Sequence, residues 1–348
     1  MIKAAIIGAT GFGGCGLLEI LARHPHIKAT QLFAKNETGM KIADIYPHLE
    51  KQYDLEVMPL EKIDYSQIDI AFFSTPDQAG MNLIGEFISR DIKVIDYSGD
   101  FRFDTFEEYS VYAINKSMNP KHNSIECLEK SVYGLCEKNR EEISKAAIVG
   151  NPGCFAISLI LPLLPLCENR LVKTDTIICD SKSGVSGAGK NPGAANFYPQ
   201  RYENINTYRE GSHQHLVEVE MNINKSSKTN YKLFFVPQVI PMTRGILSNI
   251  YADIDTSIDQ ESIIKLYRDY YADAPFVTIT DKSPGTAHVR GSNECIIRPL
   301  LDKRTGKLLV TSAIDNLMKG QSGNAVQCAN IMLGLNETDG LDFPSNYP

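Results

Sequence analysis

The sequence predicts an α/β fold, with a doubly wound, Rossmann-type parallel sheet followed by a second, α+β domain with a mixed sheet. The chain opens with an apolar strand, a glycine-rich turn and a helix. Strands and helices alternate as far as residue 150, as in a parallel sheet, whereas strands outnumber helices from residue 176 onward. We therefore predict a dinucleotide-binding domain at 1–153 and a second domain at 154–319. A C-terminal helix within about 320–348 is expected to pack back on the first domain.

Length, charge and cysteine content narrow the function. The 348 residues suffice for two domains with their own cores, and the net charge of −7 leaves no basic surplus for nucleic acid or an anionic membrane. We expect neither a membrane span nor a signal peptide, because no apolar run is long enough and the chain starts in a strand. The eight cysteines lack CxxC pairs, although Cys136 and Cys167 leave a disulfide open. These features predict a reduced, cytoplasmic enzyme without a metal.

A glycine-rich turn follows the first strand. The strands and helices of the first domain are predicted at 3–7, 17–24, 29–33, 69–73, 81–89, 93–96 and 146–149. Gly8, Gly11 and Gly14 form the spacing GxxGxxG between a strand and a helix, which is the context that a dinucleotide pyrophosphate needs. A glycine-rich turn without a ligand is the alternative. The residues predicted to hold the dinucleotide here are Gly8, Thr10, Gly11, Phe12, Gly13 and Gly14.

The end of the second strand indicates which dinucleotide is bound. Lys35 follows this strand, and no acidic residue occurs before Glu37. An NAD site usually has Asp or Glu there for the ribose hydroxyls, so a lysine favours the 2′-phosphate of NADP. The alternative is a solvated surface lysine. Because ligands bind at the carboxyl ends of such strands, 74–76 and 98–102 are expected to face the cofactor or the substrate.

A single cysteine lies where the last strand of the first domain gives way to a helix. Gly150, Pro152 and Gly153 end the strand, and the apolar run 155–161 predicts a buried helix with Cys154 in its first turn. Free backbone N–H groups and the helix dipole favour a thiolate there, and the thiolate is the nucleophilic form. The glycines would leave the approach to the thiol open. The alternative is a cysteine that only packs in the core.

The second domain is predicted to be rich in strands. Its strands and helices are expected at 176–180, 232–235, 247–254, 260–271, 276–280, 294–298, 307–313 and 323–335. Pro162 and Pro165 are expected to kink or end the helix that follows Cys154. The hydroxyl-rich loop 183–190 suits an anion, although such loops are more often simple connections.

Two histidines, His213 and His215, complete a possible catalytic set. They lack a third and fourth ligand at zinc-site spacing, so we expect no zinc there. A cysteine, a histidine and a nicotinamide cofactor together suggest covalent redox chemistry at a carbonyl. The thiolate would form a thioester, hydride transfer would give a thiohemiacetal, and histidine would manage the protons. A structural role for each histidine is the alternative.

Distinctive segments in a shared order resemble those of the N-acetyl-γ-glutamyl-phosphate reductase family, a relative of aspartate-semialdehyde dehydrogenase. The matching segments are 8–14, 95–102, 132–135, 150–155, 183–189, 213–215, 236–245, 291–293 and 315–320. Asn-Pro-Gly-Cys-Phe at 151–155 is the most specific of them. The resemblance implies Cys154 as nucleophile, His213 as acid/base and Glu218 as the group that orients this imidazole. It further implies reduction of an acyl phosphate with NADPH, release of phosphate and semialdehyde, and a homodimer or homotetramer formed through the second domain.

The resemblance also implies contacts to the substrate and the cofactor. The predicted substrate contacts are Arg102, Asn151, His215 and Arg244. The further cofactor contacts that it implies are Ser186, Gly187 and Asn316, in addition to Lys35, Ser74, Thr75 and Pro76 at the ends of the predicted strands. Arg102 suits a phosphate because a guanidinium binds two oxygens at once. A structural ion pair with Asp96 or Asp100 is the competing account.

The chain departs from the family pattern at several positions. The departures are Asp77, Ile157, Gln214, Val217 and Gln238, where the family usually has His, Thr, Arg, Pro and His. Loss of the arginine at 214 keeps other substrates open, among them another N-acyl glutamyl phosphate or an N-acyl-aminoadipyl phosphate. Aspartate-semialdehyde dehydrogenase typically has Asn where this chain has Gly153, which makes it the weaker alternative. A catalytically silent, NADP-binding sensor is the alternative of another class.

Overall fold

The computed structural model describes residues 1–194, 196–255 and 257–348. The chain forms two compact units. The first unit comprises Met1–Val111, Asn119–Pro152 and Gln321–Asp342. The second unit comprises Tyr112–Met118, Gly153–Gly320 and Phe343–Pro348.

The secondary structure has the following bounds. The strands are β1 Ile2–Ile7, β2 Ile27–Phe33, β3 Val57–Met58, β4 Ile70–Phe73, β5 Lys93–Asp96, β6 Ser131–Tyr133, β7 Ile148–Gly150, β8 Ile177–Ser183, β9 Asn206–Thr207, β10 Leu233–Val239, β11 Ile246–Asp253, β12 Val277–Ile279, β13 Cys295–Asp302 and β14 Lys307–Ile314. The helices are α1 Phe12–Leu21, α2 Ile42–Ile45, α3 Ile84–Ile88, α4 Phe106–Asn115, α5 Ile125–Leu128, α6 Cys136–Lys145, α7 Cys154–Glu168, α8 Tyr198–Arg201, α9 His215–Ser227, α10 Gln260–Tyr270 and α11 Gly323–Met332.

The first unit contains a parallel sheet of seven strands in the order β3-β2-β1-β4-β5-β7-β6. Its central strand β4 is completely buried, which explains its unbroken apolar sequence. The strand order reverses between β1 and β4, and ligands of doubly wound sheets bind at such a point. The predicted Rossmann-type sheet is confirmed. Helix α11 is buried along its whole length and packs against α1 and α6.

The second unit contains a mixed sheet in the order β12-β13-β14-β11-β8-β10-β9. The pairs β8–β10 and β12–β13 are parallel, and the others are antiparallel. Buried and more exposed residues alternate along β8 and β10, as expected for a sheet covered on one face. Helix α7 packs against β11 and β14. The predicted mixed sheet is confirmed.

Helix α7 continues through both of its prolines to Glu168, so neither Pro162 nor Pro165 ends it. Each proline removes an N–H group that would bond the carbonyl four residues earlier. Hydroxyl groups of other elements supply the missing donors. Ser312 Oγ donates to the carbonyl of Ser158 over 2.6 Å, and the Tyr271 hydroxyl donates to the carbonyl of Leu161. Tertiary hydrogen bonds therefore make two prolines tolerable inside a buried helix.

Candidate active site

Cys154 is the first residue of α7, at the predicted junction. Gly153 caps the helix in an extended conformation, with φ −68° and ψ 147°. Residues 155–167 of the helix are all buried, whereas Cys154 is partly exposed. The apolar helix thus anchors the cysteine and leaves its thiol accessible at the helix N-terminus, where backbone N–H groups stabilise negative charge. All eight cysteines are free thiols, so the disulfide left open by the sequence does not form.

His215 and Glu218 of α9 lie beside the residue that precedes the cysteine. The backbone N–H of Gly153 donates to Glu218 Oε2 over 3.0 Å, and Glu218 Oε1 lies 3.9 Å from Nε2 of His215. A Cβ atom at Gly153 would lie only 2.4 Å from the same Nε2. Glycine at 153 is therefore required because the His215 imidazole occupies the space of a side chain. The buried carboxylate joins this histidine to the start of α7.

His213 is buried and its conformation is fixed. The backbone N–H of His215 donates to Nδ1 of His213 over 3.1 Å, and the two rings are 4.8 Å apart. Burial, together with the nearby positive charges of His215 and Arg209, lowers the pKa of His213 to about 2. The ring is consequently neutral at ordinary pH. Because Nδ1 accepts this hydrogen bond, the neutral ring carries its proton on Nε2.

A cavity of about 700 Å³ opens in the second unit and is lined by Cys154. Its other polar lining residues include Ser183, Arg201, Asn206, Tyr208, Arg209, His213, Gln214 and His215. This volume lies in the range typical of small-molecule sites. The cavity brings the predicted nucleophile and both histidines together.

The cavity also contains two arginines that the sequence analysis did not identify. Arg201 is buried, and its guanidinium donates to the carbonyls of Asn204 and Val239 over 3.0 and 3.1 Å. Arg209 is exposed, and its Nη1 donates to Oε1 of Gln214 over 2.9 Å. A guanidinium therefore lies directly beside the position where the family usually has arginine. Neither residue belongs to a motif, so only the folded chain shows that they line the cavity.

Hydrogen bonds connect two of the predicted cofactor contacts, Ser186 in the loop after β8 and Asn316. Asn316 Nδ2 donates to Ser186 Oγ over 2.9 Å, and the N–H of Gly245 donates to Asn316 Oδ1 over 2.7 Å. Gly187 lines the cavity. Arg244 lies outside this set of bonds, because its Nε is 3.0 Å from Oδ2 of the buried Asp315.

The glycine turn of the first unit fits a dinucleotide. Gly8 has φ +88°, and a Cβ atom there would lie 2.3 Å from the carbonyl oxygen of Ser74. A Cβ atom at Gly13 would lie 2.3 Å from Ser74 Oγ, and one at Gly14 would lie 2.5 Å from the carbonyl oxygen of Ala9. Gly11 caps α1, which begins at Phe12. Glycine at 8, 13 and 14 is therefore required by close packing against Ser74 and Ala9, and the turn places the N-terminus of α1 after the carboxyl end of β1, where dinucleotide sites bind a pyrophosphate.

Residues near the ends of β2 and β4 add to this region. Lys35 is exposed two residues after the end of β2, and Pro76 is exposed after the end of β4. The Thr75 hydroxyl oxygen is buried and has no hydrogen-bond partner within the described part of the chain. A ligand hydroxyl or phosphate would satisfy it. The carbonyl of Thr10, in the glycine turn, accepts a hydrogen bond from the Tyr46 hydroxyl over 2.6 Å.

Arg102 lies in the interior of the first unit. Its Nη2 donates to the carbonyl of Tyr97 over 2.5 Å, and its charge acts on Asp96 and Asp100. Burial raises the pKa of both carboxyls, and Arg102 opposes that rise. Asn151 is equally buried, and its amide binds the carbonyl of Gln321 and the side chain of Asn324. These contacts favour a structural role for Arg102 and Asn151, which is the alternative named for the arginine.

Three of the family departures have their own partners or packing. Asp77 Oδ1 accepts a hydrogen bond from the N–H of Gly99 over 2.8 Å. Gln238 donates to Asp180, and Ile157 is fully buried in α7. Val217 lies in the first turn of α9. Asp77, Gln238 and Ile157 thus take part in the hydrogen bonding or packing of their own units.

The comparisons with known proteins cover both units. Residues 3–146 match the NAD binding domain of semialdehyde dehydrogenases, and residues 154–316 match their dimerisation domain. An N-acetyl-gamma-glutamyl-phosphate reductase of Pelotomaculum thermopropionicum is 41% identical over 351 residues, which cover 100% of this chain and 99% of the relative. The chain belongs to this reductase family. A second member, from Geotalea daltonii, is 39% identical over 352 residues and 100% of both chains.

Solved structures support the fold of this reductase family member. Aspartate semialdehyde dehydrogenase II of Vibrio cholerae, complexed with ASA, superposes with a TM-score of 0.71 at 19% identity and covers 96% of this chain and 98% of its own. The Candida albicans enzyme with NADP gives a TM-score of 0.66 at 15% identity, with 96% and 98% covered. The chain is an NAD(P)-dependent oxidoreductase, as the sequence predicts. Within the described residues, no helix has the length and apolar character of a membrane span.

Proposed function

We propose that this protein reduces N-acetyl-γ-glutamyl phosphate to N-acetylglutamate semialdehyde and phosphate, with NADPH as the reductant and Cys154 as the nucleophile. The observation that carries the proposal is the placement of Cys154 at the N-terminus of α7, on a cavity that also contains His213 and His215. Full-length identity of 39–41% to reductases with this name supports the choice of substrate.

The cysteine performs the covalent part of the reaction. The Cys154 thiolate attacks the carbonyl carbon of the acyl phosphate, the C–O bond to phosphate breaks, and a thioester forms. The nicotinamide, when bound, supplies hydride for reduction of an acyl group. Cys154 then holds a thiohemiacetal, and cleavage of its C–S bond releases the aldehyde and restores the thiolate. The N-terminus of α7 stabilises the thiolate before it attacks the substrate and again after the aldehyde is released.

We assign the proton transfers to His215 and a supporting role to His213. The His215 imidazole lies against Gly153, beside the nucleophile, and has the Glu218 carboxylate 3.9 Å from its Nε2. Its side chain is 12% exposed, so protons can exchange with the cavity. His213 stays neutral, and its ring packs on His215. This differs from the family-based prediction for His213, and comparison of the two histidine variants decides between the assignments.

Arg209 is proposed as a contact for the negative charge of the substrate. Its guanidinium is exposed, lines the cavity and is held toward Gln214 by one hydrogen bond, so further N–H groups can bind an anion. Arg201 donates to the carbonyl of Asn204 and to that of Val239 at the end of β10, and so stabilises the cavity wall. An arginine supplied from position 209 would replace the one that the family usually has at 214.

NADP is the proposed dinucleotide. The glycine-rich turn and the buried Thr75 hydroxyl fit the pyrophosphate region, and Lys35 provides a cation near the end of β2. Ser74 and Pro76 flank Thr75 at the end of β4. Ser186, Gly187 and Asn316 are proposed to contact the nicotinamide end of the cofactor, as the family resemblance implies.

A homodimer is the proposed assembly. Phe234, Ile178 and Tyr251 are paired across three adjacent strands and are 55%, 45% and 40% exposed. Three large apolar side chains in one row on a sheet face indicate a surface that another subunit covers. The match to a dimerisation domain supports this interpretation. We place the enzyme in the cytoplasm, in agreement with eight free thiols.

The substrate assignment is tested in the reverse direction. Purified enzyme is supplied with phosphate, NADP⁺ and a panel of semialdehydes: N-acetylglutamate, N-acylaminoadipate, a different N-acyl glutamate and aspartate semialdehyde. We expect the highest kcat/KM for N-acetylglutamate semialdehyde and a strict requirement for phosphate. A higher kcat/KM for another member would transfer the assignment to that substrate. Binding of NADPH without any turnover would support the sensor instead.

A further inference from the structure

A second cluster of metal-binding side chains lies in the first unit. Cys15 and Glu19 are four residues apart on α1 and therefore share one face of the helix. His48 belongs to a short 3₁₀ turn, Pro47–Leu49, that packs on the same face. Cys15 Sγ lies 3.8 Å from Glu19 Oε1 and 4.0 Å from His48 Nε2, and the last two atoms are 3.0 Å apart. Three donor atoms thus converge from residues that show no zinc spacing in the sequence.

The donor types and separations fit a borderline transition metal. Zinc binds cysteine sulfur at about 2.3 Å and histidine nitrogen or carboxylate oxygen at about 2.0–2.2 Å, in tetrahedral geometry. These lengths place neighbouring ligand atoms about 3.3–3.6 Å apart. The three observed separations lie within about half an ångström of those values. Magnesium and calcium prefer oxygen ligands only, so a thiol and an imidazole select against them.

The surroundings hold the three groups in place and leave access for an ion. The Tyr46 hydroxyl donates to the carbonyl of Thr10, and the Tyr53 hydroxyl donates to the carbonyl of Leu18 over 2.9 Å. These bonds fix the segment that carries His48 onto α1. The His48 and Glu19 side chains are 53% and 35% exposed, so solvent can reach the cluster. An exposed histidine–carboxylate pair alone would contribute little to stability and would not need the thiol beside it.

We propose that Cys15, Glu19 and His48 form a binding site for Zn²⁺ or a similar ion such as Co²⁺, with solvent as the fourth ligand. Binding replaces the thiol proton by the metal and releases that proton to solvent, while His48 binds through its neutral imidazole. Metal affinity therefore rises with pH. The site is separate from the cavity that contains Cys154 and is independent of the proposed function.

The test uses Cys154→Ser as the parent, because Cys154 and its two histidines could also bind metal. Co²⁺ is titrated into the full chain while thiolate-to-cobalt absorption and stoichiometry are recorded, and Zn²⁺ competition then gives the zinc affinity. We expect one ion per chain in the parent. Cys15→Ser should abolish the thiolate band. His48→Ala changes an exposed side chain and should weaken Co²⁺ binding. The expected loss is larger than roughly 10–100-fold, which is the cost of losing a residue that supports a ligand without binding the metal itself.

Matched controls separate this site from other thiols. Cys127→Ser in the same parent changes another partly exposed cysteine and should leave the band and the stoichiometry unchanged. Mg²⁺ in excess should not displace Co²⁺. A thiolate band that survives Cys15→Ser, equal affinity in the parent and His48→Ala, or displacement by Mg²⁺ would each overturn the proposal.

Discussion

Two arginines show how differently the two units use charge. In the first unit, Arg102 is 6% exposed; its Nη2 donates to the carbonyl of Tyr97, and its charge acts on Asp96 and Asp100. In the second unit, Arg209 is exposed on the cavity wall and makes one hydrogen bond to Gln214. A buried charge needs partners within the fold, whereas a charge on a cavity can exchange water for a ligand. Position in the fold, and not residue type, distinguishes a guanidinium held by the interior from one that is accessible to a ligand.

The largest effect on turnover is expected when the accessible thiol of Cys154 is replaced. Cys154→Ser should abolish turnover, because an alkoxide forms far less readily than a thiolate, while NADPH binding and thermal stability persist. Activity is measured by NADPH oxidation, and binding by the change in NADPH fluorescence, since the chain contains no tryptophan. Cys127→Ser, at a partly exposed cysteine in the first unit, should keep full activity. Substantial turnover by Cys154→Ser would exclude the thioester mechanism.

The histidine pair provides the next comparison, between a buried ring and an accessible one. His215→Asn should lower kcat by roughly a hundredfold to ten-thousandfold, the range for losing general acid–base catalysis. His213→Asn should cost less, because His213 is already neutral and acts by packing on His215. The full pH–rate profile of each variant is the measurement. If His213→Asn lowers kcat more and removes a pH-dependent limb, the original family-based assignment is correct.

The particular residues show what the sequence could and could not predict. The longer strands and the strand-to-helix junction at Cys154 were predictable, because apolar runs, glycines and a change of periodicity are local signals. The short strands β3, β6 and β9 were not predicted, because two or three residues carry no periodic pattern. The continuation of α7 past Pro162 and Pro165 was not, because Ser312 and Tyr271 supply the missing donors from distant segments. Helix α9 was not predicted, because apolar and polar residues alternate one by one over 217–224, a pattern more typical of a strand than of a helix. The role of Arg209 was equally hidden, since only the fold brings it to the cavity.

Replacing Arg102 or Arg209 by methionine tests whether the two arginines have different roles. Arg209→Met should raise KM for the acyl phosphate roughly tenfold to hundredfold, as expected for loss of a charge-assisted contact of about 1.5–3 kcal/mol, with unchanged stability. Arg102→Met should lower the free energy of unfolding by about 1.5–3 kcal/mol, because it removes a charge-assisted hydrogen bond to the buried carbonyl of Tyr97. Urea unfolding and steady-state kinetics measure both. A normal stability for Arg102→Met would contradict the structural role of its guanidinium.

A substitution at Lys35 tests whether an accessible charge in the first unit determines the cofactor preference. Lys35→Asp should remove a preference for NADPH over NADH of roughly tenfold to hundredfold, toward the low end because the residue is exposed and screened by salt. The apparent KM for each cofactor is compared between wild type and variant. Lys28→Asp, at an exposed lysine near the other end of β2, makes the same charge change and should not alter the preference. Equal use of NADH by the wild type would reduce Lys35 to a surface charge.

The smallest expected effect is a pair of opposing pH dependences of stability. The pKa of His213 is lowered to about 2, from an ordinary value of about 6.5 in the unfolded chain. Between these values the unfolded chain binds more protons, so the contribution of His213 is complete above pH about 6.5 and is lost as the pH falls. Burial raises the pKa of Asp96 and Asp100, so the folded chain binds more protons there. Their contribution is complete below pH about 4 and is lost as the pH rises through the raised values.

The two dependences partly cancel in the wild type, so variants are needed to separate them. His213→Asn removes the titrating imidazole and should make unfolding in urea less sensitive to a change from pH 7 to pH 5. Asp96→Asn keeps a neutral side chain in the buried site and should reduce the loss of stability between pH 6 and pH 9. The two variants therefore flatten opposite sides of the profile. If Asp96→Asn instead flattens the acidic side, the carboxylate is ionised in the folded protein and Arg102 outweighs the cost of burial.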